Sequence, residues 1–398
     1  MTSVLDGIRV VEQGTFITGP CAGMMLADLG ADVVKVEGPT GDPYRAYQGE
    51  RFSPHFQAYN RNKRSVVLDL GAEGDRTLLD GMVREADVYI QNFRPGTADR
   101  LGAGAERLQA LNPRLVYCSI SGFGPTGPYA ERPSYDSVAQ ALSGFLSVVV
   151  DPERPRFLGP ALADALTGIY AALGVLGALV ERGRTGRGRH VEVSMLEAMM
   201  HFAVEPFAAY FALGRVPGSS DRPRLAQAFI LRTADGGLIT IHLSSLEKFW
   251  QGLTSALDAP ELVADARFRT RLDRIDNYEA LSAELDARFS RRPMHDWEER
   301  LGRCDVPFAP IHHIDEVVAD PQVRHLGLIV PVNGAQVDAH GGAHAVRPAI
   351  RFDGERAAHV RTAPLLDEHG AAIRRALAGT PAWPASEIVP STPRRNTP

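Results

Sequence analysis

Ile8-Arg9-Val10-Val11-Glu12, a helical segment Cys21 to Leu29 entered through Gly19-Pro20, and Ala31-Asp32-Val33-Val34-Lys35-Val36-Glu37 decide the fold. The two short apolar runs read as strands. Pro20 suits the start of the helix between them, because the first-turn N–H groups have no intrahelical partner. The same alternation continues with strand-like Ser65–Asp69, Ala86–Ile90 and Arg114–Ile120, separated by helical segments near 73–84 and 104–111. A helix over 136–148 follows, then a long helix after Asp164 that ends at Arg182–Gly188. His190-Val191-Glu192-Val193-Ser194 then opens an element running into an aromatic-rich helical segment to about Leu213. Strands interleaved with helices imply a parallel sheet covered on both faces. With right-handed crossovers, the expectation is an α/β protein with a Rossmann-like, doubly wound sheet.

The length of 398 residues suggests two domains. The first is expected over 1–213, followed by a turn-rich linker over 214–224. A hairpin over Phe229–His242, turning at Asp235-Gly236-Gly237, opens a smaller α+β domain over 225–325, with helices at about 246–256, 277–289 and 294–302. Residues 381–398 read as a Pro-rich tail running over the surface.

A net charge of −5 supplies no general attraction for nucleic acid or a membrane surface. Cys21, Cys118 and Cys304 lie far apart, which argues against a disulfide framework or a thiolate metal site. The N-terminal residues carry no basic region followed by an apolar core, as a signal peptide would. The apolar stretch Ala165–Val180 is short for a membrane span. The expectation is a soluble, cytoplasmic protein.

Asp164 is the one charge between Arg156 and Glu181, at the front of the long helix. A buried carboxylate is costly unless its charge is stabilised. Helix N-terminal amides could do that, leaving a sheltered ionised group. On local sequence alone, a plain N-cap role is the preferred reading. GxGxxG and GK[ST] are both absent after the first strand, which disfavours a nicotinamide cofactor and nucleotide hydrolysis. No GxSxG elbow is present, and His312-His313 lacks the HExxH spacing of a metal site. Gln91-Asn92-Phe93-Arg94-Pro95-Gly96 stands at the carboxyl end of a strand, where open α/β sheets place ligands, with Arg100 one turn further. It offers an amide, an aromatic face and guanidiniums suited to phosphate. Phe123–Pro128 forms a rigid loop after the next strand.

The ordered series Ala31–Glu37, Asn60–Ser65, Asn92–Gly96, Ser121–Gly124, Tyr135-Asp136, Asp164, Thr185–Gly188 and Asp315–Gln322 resembles the class III CoA-transferase family, of the formyl-CoA and carnitine CoA-transferase type. The resemblance covers about residues 5–375. It implies two chains interlocked as a homodimer, and a return of residues 326–380 to the large domain. It also implies coenzyme A as part of the substrate, small carboxylic acids as acceptors, and no metal. The family's nucleophile falls on Asp164. Its CoA-contacting positions fall on Ile17, Thr18, Leu68, Asp69, Leu70, Gly71, Asn92, Phe93, Arg94, Arg100 and Tyr135. Ile17 replaces a glutamine found in some members, and Gly38 replaces a common basic residue, which leaves Arg45, Arg61 or Arg64 to meet phosphate. The oxalate-site glycine run of formyl-CoA transferases is not visible, so oxalate is not assigned as acceptor. A 2-methylacyl-CoA racemase of the same fold is the rival. It would carry His where this chain has Tyr135, and a neutral phenol is a poor proton shuttle near pH 7. A non-catalytic CoA-binding partner subunit is the other alternative.

Overall fold

The computed structural model describes residues 3–47, 53–157, 159–244, 247–332, 344–356, 360–378 and 383. Six parallel strands form the main sheet: β1 (Arg9–Gln13), β2 (Asp32–Glu37), β3 (Arg64–Val67), β4 (Val88–Gln91), β5 (Val116–Ser121) and β6 (His190–Ser194). Their order is β3-β2-β1-β4-β5-β6, so the winding reverses between β1 and β4. Helices α1 (Thr18–Asp28), α2 (Pro54–Asn60), α3 (Glu73–Glu85), α4 (Thr97–Arg100), α5 (Ala105–Leu111), α6 (Asp136–Leu142), α7 (Leu162–Thr185) and α8 (Met195–Phe202) are interleaved with them, and a helix over Gly370–Ala378 packs on β3 and α3.

The alternation of side chains along each strand sorts the core into two layers. Val10, Val33, Val88 and Val116 pack on one face with Ala22 and Leu26 of α1 and Ala171 and Val175 of α7. Val11, Val34, Tyr89 and Tyr117 pack on the other with Leu79 and Met82 of α3 and Leu108 of α5. Both faces of the inner strands are buried, which is why apolar residues stand side by side in them, as in Val10-Val11, Val33-Val34 and Val88-Tyr89.

The expected stretch 165–180 is the middle of a longer helix. At 24 residues, α7 is long and apolar enough to cross a bilayer by length and composition alone. Its Ala171, Val175 and Ala178 are nevertheless buried in the core, and Arg182 near its end pairs with Asp87 at 2.8 Å.

Two compact units emerge, one from Met1–Phe145, Phe157–Val204 and Gly327–Pro398, the other from Leu146–Arg156 and Glu205–Leu326. Residues 205–213 and 146–156, expected within the first domain, fall with the second unit. In the first unit, the C-terminal segment lies along the otherwise open edge of β3. Val67 N donates to Asp367 Oδ1 at 2.8 Å and His369 N to Ser65 O at 3.1 Å. Apart from Trp383, the tail 381–398 lies outside the described residues.

The second unit holds an antiparallel sheet of β7 (Ala228–Arg232), β8 (Leu238–His242) and β9 (Phe308–Pro310). Helices Lys248–Ala256, Tyr278–Phe289 and Met294–Arg303 pack against it around Trp250 and Trp297.

Candidate active site

Loops after β1, β3, β4 and β5 leave the same carboxyl edge of the sheet, and β1 and β4 flank the reversal point where ligands of such sheets sit. Asn92 fastens two of these loops together. Its Nδ2 donates to Thr15 O and to Thr18 Oγ1, both at 2.8 Å, and its Oδ1 accepts from Thr15 N at 2.9 Å. Both amide hydrogens are therefore spent on the protein. Ile17 and Thr18 are buried where α1 begins.

After β3, Leu68 and Leu70 point into the core. Asp69 turns the chain by accepting from Gly71 N at 2.9 Å, and the Asp69 N–H donates to Asp75 at 2.7 Å. Phe93 and Arg94 line a cavity of about 290 Å³ with Gly96, Ser119 and His190. Arg100 is exposed beside it and donates to Thr97 Oγ1 at 2.8 Å. Tyr135 is exposed next to α6. Arg45, Arg61 and Arg64 are the arginines expected to meet phosphate. Each already holds a carboxylate: Glu37 at 2.7 Å, Asp28 at 2.6 Å and Asp32 at 2.7 Å.

Asp164 lies in the first turn of α7, but it is not the cap. The N-cap position is Ala161, which makes no side-chain cap. The cap comes from Asp136 at the start of α6, whose Oδ1 accepts from Ala163 N at 2.7 Å and from Asp164 N at 3.4 Å. The amides expected to hold Asp164 ionised are thus engaged by a second carboxylate. Burial, and then the Asp136 charge, push the Asp164 carboxyl up to about 7.

An aromatic cluster that includes Tyr135, the residue before Asp136, stands next to this pair. Phe16 meets Tyr44 edge-on at 5.2 Å and Tyr135 at 6.0 Å. Burial and then the Asp164 charge raise the Tyr44 phenol to about 12. Burial pushes the Cys21 thiol up to about 11 against the charges of Lys63 and Arg61, and Asp28 and Asp164 add smaller upward contributions. Asp164, Asp136, Phe16, Tyr44, Tyr135 and Cys21 therefore share one neighbourhood, distinct from the cavity lined by Phe93 and Arg94.

Gly168, one turn along from Asp164, is where α7 touches α1. A Cβ there would stand 2.8 Å from Cys21 Cβ and 3.1 Å from Thr18 O. Gly168→Ala is expected to force the helices apart at a cost of about 1–3 kcal/mol, and to slow any reaction that depends on Asp164. Urea unfolding together with turnover tests this. An alanine variant with unchanged midpoint and rate would contradict the tight contact.

Beneath the β1 loop lies a charge network that appears only in the fold. Glu12, Lys35, Lys63 and Asp42 are all buried. Lys35 Nζ reaches Gly14 O at 2.7 Å, Asp42 at 3.0 Å and Glu12 at 3.3 Å. Lys63 Nζ reaches Glu12 at 2.7 Å, Pro20 O at 2.8 Å and Asn60 Oδ1 at 2.9 Å. Burial pushes Glu12 up, but the two ammonium groups outweigh it and hold the carboxylate below its usual range. Lys63 is pushed down to about 8, by burial above all. The available signal was a charge within each apolar strand, which a strand buried on both faces accepts only when paired.

Residues 5–370 match the family described as CoA-transferase family III. The acetyl-CoA:oxalate CoA-transferase of Acetobacter aceti is 35% identical over 382 residues, covering 94% of this chain and 95% of that protein. The succinate–glutarate CoA-transferase of Agrobacterium fabrum is 36% identical over 388 residues, covering 93% and 94%. A crystal structure of a CAIB/BAIF family protein from Brucella suis superposes with a TM-score of 0.84 at 36% identity, covering 95% of this chain and all of that one. This chain belongs to CoA-transferase family III and is a transferase that uses coenzyme A thioesters as substrates.

Proposed function

We propose that the protein moves CoA from an acyl-CoA donor to a small carboxylic acid through covalent intermediates on Asp164. The observation that carries this reading is the half-sheltered Asp164 carboxyl at the start of α7, raised to about 7 by burial and Asp136, whose Oδ1 accepts from the Asp164 amide. A more basic carboxylate is a better nucleophile while still substantially ionised near neutrality.

The Asp164 carboxylate attacks the thioester carbonyl. The C–S bond breaks, giving an aspartyl acyl anhydride and CoA thiolate. The thiolate attacks the aspartyl carbonyl and releases the donor acid, which leaves an aspartyl-CoA thioester. The acceptor carboxylate then attacks that thioester, and the returning thiolate takes the acceptor acyl group and restores Asp164. The reactions named for the Acetobacter and Agrobacterium relatives involve oxalate, succinate and glutarate, so short dicarboxylic acids are the first acceptors to try.

Ile17, Thr18, the turn over Leu68–Gly71, Asn92, Phe93, Arg94, Arg100 and Tyr135 are proposed to bind CoA on a Rossmann-like sheet. Since the Leu68 and Leu70 side chains are buried, this turn would contribute backbone groups. A homodimer of interlocked chains, working in the cytoplasm, completes the reading. The exposed Leu173 (62%) and Val180 (69%) on α7 give it an apolar surface to cover.

A panel of acyl-CoA donors against acids, read by mass spectrometry with hydroxylamine as trap, tests the proposal. New acyl-CoA products and a hydroxamate on Asp164 are expected. Deuterium entering the α-carbon of a 2-methylacyl-CoA, without CoA exchange, would favour the racemase chemistry instead.

A further inference from the structure

Phe16 occupies the left-handed backbone region, with φ 59°. This is an unfavourable conformation for a bulky L-residue. It is held from both sides. Phe16 N donates to Asp42 Oδ1 at 3.3 Å, and Thr15 before it is clamped by Asn92 through both its N–H and its C=O. Asp42 is itself tied to Lys35 at 3.0 Å. Surroundings that over-determine an unfavourable backbone are typical of functional sites.

What the conformation achieves is the placement of one ring. Phe16 stands edge-on to Tyr44, with planes at 84°, and to Tyr135, with planes at 89°. Tyr44 lies within the field of Asp164. Tyr135 directly precedes Asp136, which bonds the Asp164 amide. We infer that Phe16, braced by Tyr44 and Tyr135, is a specificity-determining wall that limits the acyl group reaching Asp164 to short, compact chains. This inference rests on the reading of Asp164 as the acyl-accepting group.

Two variants separate size from strain. Phe16→Gly removes the ring and suits the positive φ, whereas Phe16→Ala removes the ring and keeps the strain. Across acetyl-, butyryl-, hexanoyl- and octanoyl-CoA, the wild type is expected to lose kcat/KM and affinity steeply with length. Both variants should raise the hexanoyl-to-acetyl ratio by about tenfold or more, and Phe16→Gly should melt at a higher temperature than Phe16→Ala. An unchanged ratio in both variants would overturn the inference. So would a uniform loss along the ladder, which would place the ring on the part of CoA that all donors share. Calorimetric binding of the same ladder is measured in parallel. Absence of transfer by the wild type would then count against the transferase mechanism alone, while the binding ladder still reports the size limit.

Discussion

Asp164→Asn is expected to lower CoA transfer by roughly 10⁴-fold or more and, at the same time, to stabilise the fold above pH 7. The first effect follows from chemistry, because an amide of the same shape has no anionic oxygen to form the anhydride. The second follows from the direction of the shift. In the folded chain the Asp164 carboxyl is raised from 3.8 to about 7, by burial first and Asp136 second. Between those two values the folded state holds a proton that the unfolded state has released, so stability falls as pH rises through this window. Above pH 7 the folded protein bears the full cost of the buried charge, at most about 4 kcal/mol. Asparagine removes that cost, and a gain of about 1–4 kcal/mol at pH 8, shrinking toward zero near pH 4, is expected from urea unfolding. The wild-type rate should rise with pH through about 7 as Asp164 ionises. Transfer by the variant within tenfold of wild type would remove Asp164 from the chemistry. A loss of stability at pH 8 would show instead that the folded state favours the ionised carboxylate.

The joint behaviour of Asp164 and Asp136 also explains which parts of the site could be read from sequence. The parallel strands were legible because burial on both faces puts adjacent β-branched residues, such as Val33-Val34 within Ala31–Glu37, into short runs between helical segments. Expected strands at 8–12, 31–37 and 86–90 are found at Arg9–Gln13, Asp32–Glu37 and Val88–Gln91. The helix expected over 136–148 stops at Leu142, and a short 3-10 turn, Phe145–Val148, follows Gly144, whose φ of 80° ends the helix. A lone aspartate before an apolar helix was visible too. What local sequence could not supply was the partner. Asp136 is 28 residues away and its side chain caps α7 from α6, which reverses the expected effect on the Asp164 charge. The same limit applies to Arg45, Arg61 and Arg64. Their positive charge is plain in the sequence, but Glu37, Asp28 and Asp32 become their partners only through the parallel pairing of β1, β2 and β3 and the packing of α1. The place of Asn92 after β4 is plain in the sequence. What only the fold shows is that its amide also donates to Thr15 O and Thr18 Oγ1 and so fixes the β1 loop.

Glu12→Ala is expected to be the most destabilising single change around this site, at about 3–5 kcal/mol. Glu12 is fully buried in β1 and is the shared counter-charge of Lys35 and Lys63. Without it, Lys35 keeps Asp42 at 3.0 Å, but Lys63 keeps only the neutral oxygens of Pro20 and Asn60. Removing one partner of a buried pair leaves an uncompensated charge in a medium that solvates it poorly, whereas replacing both with apolar side chains does not. The double variant Glu12→Met, Lys63→Met should therefore lose less stability than the two single losses added together, and urea midpoints of the four proteins give the coupling directly. The pH dependence supplies a second check. Burial already holds Lys63 near 8 with Glu12 present. Loss of the carboxylate lowers it further, so the unfolded state then binds more protons than the folded state across the whole span from pH 7 to 9. Stability of Glu12→Ala should rise over that span more than that of wild type, and the cost of the substitution should shrink by about 1 kcal/mol. Gly14 N also loses its acceptor at 2.8 Å, so the loop bearing Phe16 should loosen and transfer should slow even in protein that remains folded. A cost below about 1 kcal/mol at pH 7, or one that grows with pH, would mean that water reaches this cluster and that the loop is held by Asn92 and Asp42 alone.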